Sequence, residues 1–160
     1  MHPAALSFVA DMAQAHDLRG DVLELGGRNV NGGVRMLIPH DVWVSVDAVD
    51  GRDVDIVADA ADLDLPDRFD VVVCTEVLEH TPRAHEIIAA AQRHLKRGGQ
   101  FVATMAGPGR EPHGCLGGAV GDEFYRNVDP ADLTLWLQLA GFTSHKVDQF
   151  ESDVRCWAVA

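Results

Sequence analysis

Three acidic residues stand at the ends of short apolar runs in the first half of the chain. Glu24 is followed by Gly26 and Gly27, Asp47 closes a second run, and Asp59 follows a third. Because glycine lacks a Cβ, it lets the backbone turn tightly or a ligand come close. A carboxylate beside such a turn would repel a pyrophosphate. The spacing therefore predicts a site for a ligand that carries a positive charge or hydroxyl groups.

A second set of residues could move protons. Glu76 and His80 follow another apolar run, and His113 lies in a glycine-rich connection further on. A carboxylate or an imidazole can take the proton of an alcohol, a phenol or an amine, so these three are the candidate catalytic bases. For each of these residues, the alternative to a catalytic role is a purely structural one. We expect no metal, because His80 and His85 are five residues apart and do not share a helix face.

The connection over 106–129 is long, rich in glycine and without clear periodicity. Connections of this length are often lids or binding loops. Its candidate substrate-contacting residues are Arg110, His113, Tyr125 and Arg126, and the two arginines could pair with an acidic acceptor. A flexible surface loop is the alternative interpretation.

Apolar runs and helix signals predict an α/β chain with a mostly parallel sheet. Strands are predicted over 22–25, 42–46, 54–58, 69–74, 100–105, 142–147 and 154–159, the last two as a hairpin. Helices are predicted before Gly20, over 34–38, from Pro82 to about His94 with Gly98-Gly99 ending it, and from Pro130 to Gly141. We expect one domain over 1–160.

The connections between the early strands are too short for full crossover helices. One sheet face is therefore expected to be thinly covered, which would suit a partner subunit, and a homodimer is one interpretation.

Composition excludes several classes of function. A formal net charge of −12 argues against general affinity for nucleic acid, which depends on clusters of Lys and Arg. The sequence has no run of 18 apolar residues, so we expect no membrane span. Cys74, Cys115 and Cys156 are far apart and lack the paired spacing of a zinc site, which is typical of reduced thiols in a cytoplasmic protein.

Taken in order, these motifs resemble those of the class I S-adenosylmethionine-dependent methyltransferases, over about 22–159. The opening Glu24-Leu25-Gly26-Gly27 is similar to the acid-x-Gly motif of that family, and Asp47 and the pair Asp59-Ala60 stand where it places further acids. The run Phe69-Asp70-Val71-Val72-Val73-Cys74-Thr75-Glu76-Val77-Leu78-Glu79-His80 closely resembles its fourth-strand signature in the small-molecule branch. The resemblance implies a Rossmann-like, doubly wound, mostly parallel sheet of seven strands with an antiparallel last strand, here with some helices short or missing.

The glycine loop departs from the commonest form of that family. Arg28 and Val30 stand where later glycines are expected, and Asn31-Gly32-Gly33 would supply the turn a few residues later. A subset of actinobacterial and phage methyltransferases resembles this Gly-Arg-Asn-Val-Asn-Gly variant.

The resemblance also implies S-adenosyl-L-methionine as cofactor and a role for each matched residue. Glu24, Gly26 and Gly27 would line its methionine and ribose end, and Asp47 would accept hydrogen bonds from the ribose hydroxyls. Asp59 would accept from the adenine amino group. The Ala60 backbone N–H would reach a ring nitrogen, and the Cys74 backbone would lie near the methionine amine.

The sequence thus predicts methyl transfer to an unidentified small-molecule acceptor. One alternative is a binding or scaffolding module that keeps the cofactor pocket without catalysis. The other alternative is a nicotinamide-dependent oxidoreductase. That class typically has a complete Gly-x-Gly-x-x-Gly motif and no acid at the position of Glu24.

Overall fold

The computed structural model describes residues 3–160, and its central feature is one seven-stranded sheet. The strand order is β3-β2-β1-β4-β5-β7-β6. β7 runs antiparallel to both of its neighbours, and the pairings among β1 to β5 are parallel. The strands are β1 Gly20–Leu25, β2 His40–Asp47, β3 Ile56–Val57, β4 Phe69–Thr75, β5 Leu95–Ala106, β6 Ser144–Phe150 and β7 Asp153–Val159.

The central strands are apolar because both of their faces are covered. β4 has six of its seven residues buried, as expected for a strand in the middle of a parallel sheet. In the register of β1 with β4, Leu25 lies beside Cys74, and on the other side of β1 the same residue lies beside Val46. The carboxyl ends of β1, β2 and β4 therefore meet at one edge of the sheet.

Within residues 3–160, three α-helices flank the sheet. They are α1 Pro3–Ala15, α2 Ala84–His94 and α3 Pro130–Ala140. Helix α1 packs through Phe8 and Val9 into one cluster of buried residues, whereas α2 and α3 contribute to the other. Helix α3 begins where the Asp129 side chain accepts the Ala131 N–H at 2.8 Å and ends at Gly141, whose φ is 92°.

The early connections contain only single turns of 3₁₀ helix, over Arg35–Leu37 and Ala60–Asp62. The prediction of a mostly parallel, Rossmann-like sheet with short helices and an antiparallel last strand is confirmed. No helix within residues 3–160 combines the length and the apolar character needed to cross a bilayer.

Gly98 and Gly99 do not end helix α2, contrary to the prediction. The helix ends at His94, and both glycines lie inside β5, which is longer than expected. The pairing of β4 with β5 shifts register between Phe69 and Val71, and a Cβ on Gly99 would lie 3.1 Å from the Phe69 carbonyl oxygen. The glycines therefore lie at an irregularity of the strand, where the absence of a side chain lets the two backbones approach closely.

Candidate functional site

A cavity of about 590 Å³ opens at the edge where β1, β2 and β4 end. In an open α/β sheet this is the place where ligands bind. Its walls come from the glycine loop, the ends of β2 and β4, and the connection that follows β5. Residues from all three candidate sets line it: Gly26, Asp47, Asp59, Ala60, Glu76, His80, Arg110 and His113.

The first turn of the glycine loop is tightly packed. Gly26 has a φ of 78°, and its N–H donates to the Val46 carbonyl at 2.7 Å. A Cβ on Gly26 would overlap Cγ2 of Val77, and one on Gly27 would overlap Oγ of Ser45. Gly26 is therefore required by its backbone conformation as well as by the contact with Val77, whereas a side chain at position 27 would force Ser45 to move. Of the two glycines, only Gly26 lines the cavity.

Asp47 is fixed by the loops around it. Its Oδ2 accepts the Arg28 N–H at 3.1 Å, and its Oδ1 accepts the Val49 N–H at 2.9 Å. Each carboxylate oxygen keeps a lone pair for a further donor. Arg28, which stands where a glycine was expected, lines the cavity, and its Nε is buried without a partner among the residues described.

Asp59 has partners on both carboxylate oxygens. Its Oδ1 caps the 3₁₀ turn by accepting the Ala61 N–H at 2.9 Å, and its Oδ2 lies 2.8 Å from a guanidinium nitrogen of Arg83. Arg83 also binds Asp62 and Glu86. Any adenine amino group at Asp59 would share its carboxylate with Arg83.

Glu24 and Cys74 lie behind the cavity wall. Glu24 is 6% exposed, and its Oε2 accepts the Trp43 indole N–H at 3.0 Å. Burial raises the pKa of Glu24 to about 7. Cys74 is fully buried in the core, and burial raises the pKa of its thiol. Neither side chain lines the cavity, as also holds for Gly27.

Glu76 stands on the cavity wall in a strained conformation. Its φ is 57°, a region that residues other than glycine rarely occupy. Its Oε2 lies 3.9 Å from the guanidinium of Arg110, which itself forms an ion pair with Asp153. Backbone strain of this kind is characteristic of functional sites, so it singles out Glu76 among the candidate bases.

His80 and His113 come together against Tyr125. The two imidazole centroids are 5.1 Å apart, and the Tyr125 ring lies 5.5 Å from His80 and 5.0 Å from His113. Burial, followed by the neighbouring His113, lowers the pKa of His80. Burial raises the pKa of Tyr125 to about 12, so its phenol keeps its proton at neutral pH.

Glu79, which sequence reasoning did not select, lies beside this pair. It is fully buried, and burial together with the nearby Glu76 raises its pKa. One carboxylate oxygen of Glu79 and one ring nitrogen each of His80 and His113 lie within 4.8 Å of one another. The sequence predicts no metal, and the spacing of His80 and His85 gives no sign of this cluster, because the long connection brings His113 to it.

The long connection, from Gly107 to Asp129, folds back over the site. The Arg126 N–H donates to the Glu79 carbonyl, and the Val128 N–H donates to the Ala106 carbonyl, both at 2.8 Å. Of the four predicted substrate-contacting residues, Arg110 and His113 line the cavity, whereas Tyr125 and Arg126 do not. The Arg126 side chain pairs with Asp132 at 2.6 Å. The connection also contributes residues that sequence reasoning missed: Gly114, Cys115, Leu116 and Gly117.

Comparison with known proteins agrees with this architecture. Residues 41–103 match the model of a methyltransferase domain. A ubiquinone biosynthesis O-methyltransferase of Pseudomonas fluorescens strain Pf0-1 is 36% identical over 101 aligned positions, which cover 55% of this chain and 42% of that protein. The chain thus spans less than half the length of the curated relatives of this name that it matches.

Solved structures share the fold over nearly the whole chain. A DhpI–SAH complex is 19% identical and superposes with a TM-score of 0.67, covering 97% of this chain and 94% of the other. The 1,6-didemethyltoxoflavin-N1-methyltransferase of Burkholderia thailandensis is also 19% identical, with a TM-score of 0.70 and coverage of 98% and 78%. The predicted resemblance to class I S-adenosylmethionine-dependent methyltransferases and the predicted fold are confirmed.

Proposed function

We propose that this chain transfers a methyl group from S-adenosylmethionine to a small-molecule acceptor. The observation that carries the proposal is that Gly26, Asp47, Asp59 and Ala60 line one cavity at the carboxyl edge of the sheet. Those are four of the seven positions that the resemblance assigns to the cofactor. The volume of the cavity, about 590 Å³, is in the range that small-molecule ligands occupy.

The groups on the cavity wall suit the cofactor. Asp47 presents two pre-positioned carboxylate oxygens, as ribose hydroxyls require. Gly26 lines the same cavity, where the methionine end would lie. Asp59 and Ala60 lie on the same cavity wall, where the adenine would be held. An acidic chain of net charge −12 also favours a ligand that carries a sulfonium cation.

In this proposal the bound cofactor supplies the activated methyl group, and the chain supplies position and a proton acceptor. Most of the acceleration would come from holding the acceptor in line with the methyl carbon. Glu76 is the residue we assign to take the acceptor's proton, because it lines the cavity and is held there by Thr104 and Arg110. His80 and His113 would form the acceptor side of the wall.

Binding and turnover test the proposal separately. Calorimetry should show that S-adenosylmethionine and S-adenosylhomocysteine bind and that NAD does not. Tight NAD binding without S-adenosylmethionine binding would instead support the oxidoreductase alternative. Formation of S-adenosylhomocysteine across phenols, alcohols, amines and acids would then identify the acceptor class.

A non-catalytic binding module is the second candidate. The altered glycine loop and the short connections between the early strands favour it. If the cofactor binds but no acceptor leads to formation of S-adenosylhomocysteine, the result would support a binding module and not an enzyme.

A small-molecule acceptor is supported by the matched relatives, since their names refer to ubiquinone biosynthesis and didemethyltoxoflavin.

The composition supports two further proposals. We propose that the chain has no nucleic-acid partner, because its net charge is negative, and that it is cytoplasmic, because its three cysteines are free. We also propose a homodimer through the thinly covered part of the sheet, and the exposed side chains of Val42, Val49 and Val57, in and after β2 and in β3, support it. A monomeric mass in solution scattering would contradict the dimer.

A further inference from the structure

Glu79, His80 and His113 form a cluster of metal-ligand type outside the proposed cofactor positions. Glu79 and His80 belong to the 3₁₀ turn Leu78–His80 that follows β4, and His113 is brought to them by the long connection. One potential ligand atom from each residue lies within 4.8 Å of the other two. Three such atoms at that separation can converge on a single ion between them.

Two buried polar atoms in this cluster have no hydrogen-bond partner in the part of the chain that the structure describes. Glu79 is 0% exposed; its Oε1 accepts the Ala106 N–H at 2.9 Å, but its Oε2 has no hydrogen-bond partner among residues 3–160. The Nδ1 of His80 is also buried and has no hydrogen-bond partner among these residues. Buried polar atoms normally have hydrogen-bond partners, so these two atoms point to a partner that the described residues do not supply. A cation bound at this cluster would lie beside both of these residues.

Neighbouring groups orient the cluster, as hydrogen bonds to the ligands of a metal ion commonly do. The Nδ1 of His113 lies 3.1 Å from the Glu111 carbonyl, and with Nδ1–H donating to that oxygen, Nε2 keeps its lone pair for a ligand bond. The Tyr125 ring packs against both imidazoles. On the other side, the Arg126 N–H holds the Glu79 backbone at 2.8 Å.

We propose that Glu79, His80 and His113 bind one divalent transition-metal ion of the Zn²⁺ or Co²⁺ type. Two imidazoles and one carboxylate suit these ions, whereas Mg²⁺ and Ca²⁺ prefer ligand sets made of oxygen. Three protein ligands leave at least one coordination position for water or another ligand. The ion would border the cavity, since His80 and His113 both line it. The proposal concerns metal binding alone and does not depend on methyl transfer.

The test titrates Co²⁺ and Zn²⁺ into the full chain after treatment with a chelator. Calorimetry should show one equivalent bound, and Co²⁺ should develop the visible absorption of a site with nitrogen ligands. His113→Ala should weaken binding by at least roughly tenfold. His85→Ala is the matched control: His85 is exposed on α2, five residues from His80, and its loss should leave the affinity unchanged.

Glu79→Gln is the second variant, because it keeps a side chain of the same shape and an acceptor for the Ala106 N–H. It should also weaken binding by at least roughly tenfold. Circular dichroism and S-adenosylhomocysteine binding, measured without metal, report whether each variant retains its fold and cofactor site. Absence of saturable binding to the unmodified chain, or equal affinity in His113→Ala, would overturn the metal site while leaving the methyltransferase proposal intact.

Discussion

Glu76 and Thr104 are joined twice, once through the backbone and once through their side chains. The Glu76 N–H donates to the Thr104 carbonyl at 2.8 Å, and the Thr104 hydroxyl donates to Oε1 of Glu76 at 2.9 Å. Thr104 is fully buried in β5, so it provides a rigid anchor. The two hydrogen bonds hold Glu76 in its left-handed conformation with the second carboxylate oxygen towards Arg110.

This arrangement predicts the effect of Glu76→Gln. The amide keeps the shape and can still accept from Thr104, but it cannot take a proton from the acceptor. We expect turnover to fall by a factor of about 10² or more, as is typical for loss of a general base, with cofactor affinity unchanged. Steady-state kinetics and calorimetry measure the two effects. Glu111→Gln, on the exposed part of the long connection, is the control, and equal turnover in both variants would remove Glu76 as the base.

Asp47→Ala should weaken S-adenosylmethionine binding by about 10- to 100-fold. The change removes a carboxylate whose hydrogen bonds to hydroxyl donors contribute about 1.5–3 kcal/mol. Isothermal calorimetry measures the affinity directly. Asp50→Ala removes an exposed acid three residues further along the same loop and should have no effect. An unchanged affinity in Asp47→Ala would exclude Asp47 from the site.

Gly26→Ala should destabilise the fold by about 2–4 kcal/mol, because it adds both a left-handed backbone penalty and an overlap with Val77. Gly109→Ala separates the two causes. Gly109 has a φ of 91°, but no atom lies within 4 Å of the position that a Cβ would take, so only the backbone penalty of about 1–2 kcal/mol remains. Urea denaturation of both variants gives the difference. Equal losses would show that the contact with Val77 relaxes freely.

Glu24→Gln should change how stability depends on pH. The pKa of Glu24 rises on folding from 4.5 to about 7, so the folded chain holds this proton where the unfolded chain has lost it. Its contribution is therefore full below pH 4.5 and is lost as pH rises towards 7. The amide never ionises, so the variant should be more stable than the parent above pH 7, by up to about 3 kcal/mol.

Denaturant melts at about pH 4 and about pH 8, on either side of this window, measure the effect. The stability difference between Glu24→Gln and the parent should be large in the alkaline buffer and small in the acidic one. Glu151→Gln makes the same change of side chain on an exposed turn and is the control. A constant difference in both buffers would mean that Glu24 titrates normally in the folded chain.

The sheet could be predicted from sequence because its strands are apolar runs that end in acids or glycines. That pattern indicated β1, β2 and β4 and placed Asp47 and Asp59 at one edge, where the structure has them on one cavity. The cofactor roles of these residues stay predictions. Local pattern was sufficient here because parallel strands share a carboxyl edge.

The acceptor side could not be predicted in the same way. The meeting of Glu79 with His113 depends on the path of an irregular connection, which carries no periodicity to read. Gly98 and Gly99 resemble a helix stop, and only the register shift against Phe69 shows their place in β5. Likewise, the ion pair between Asp59 and Arg83 joins residues 24 positions apart.

Cys115 gives the chain a built-in reporter position. Cys74 and Cys156 are buried, whereas Cys115 is exposed and lies on the cavity wall. A thiol-reactive fluorophore would therefore label the native sequence at one place, beside the bound ligand. Partial burial and Glu123 raise the pKa of this thiol, so labelling should proceed faster in alkaline buffer. Occupancy of the cavity could then be followed by fluorescence without introducing a single substitution.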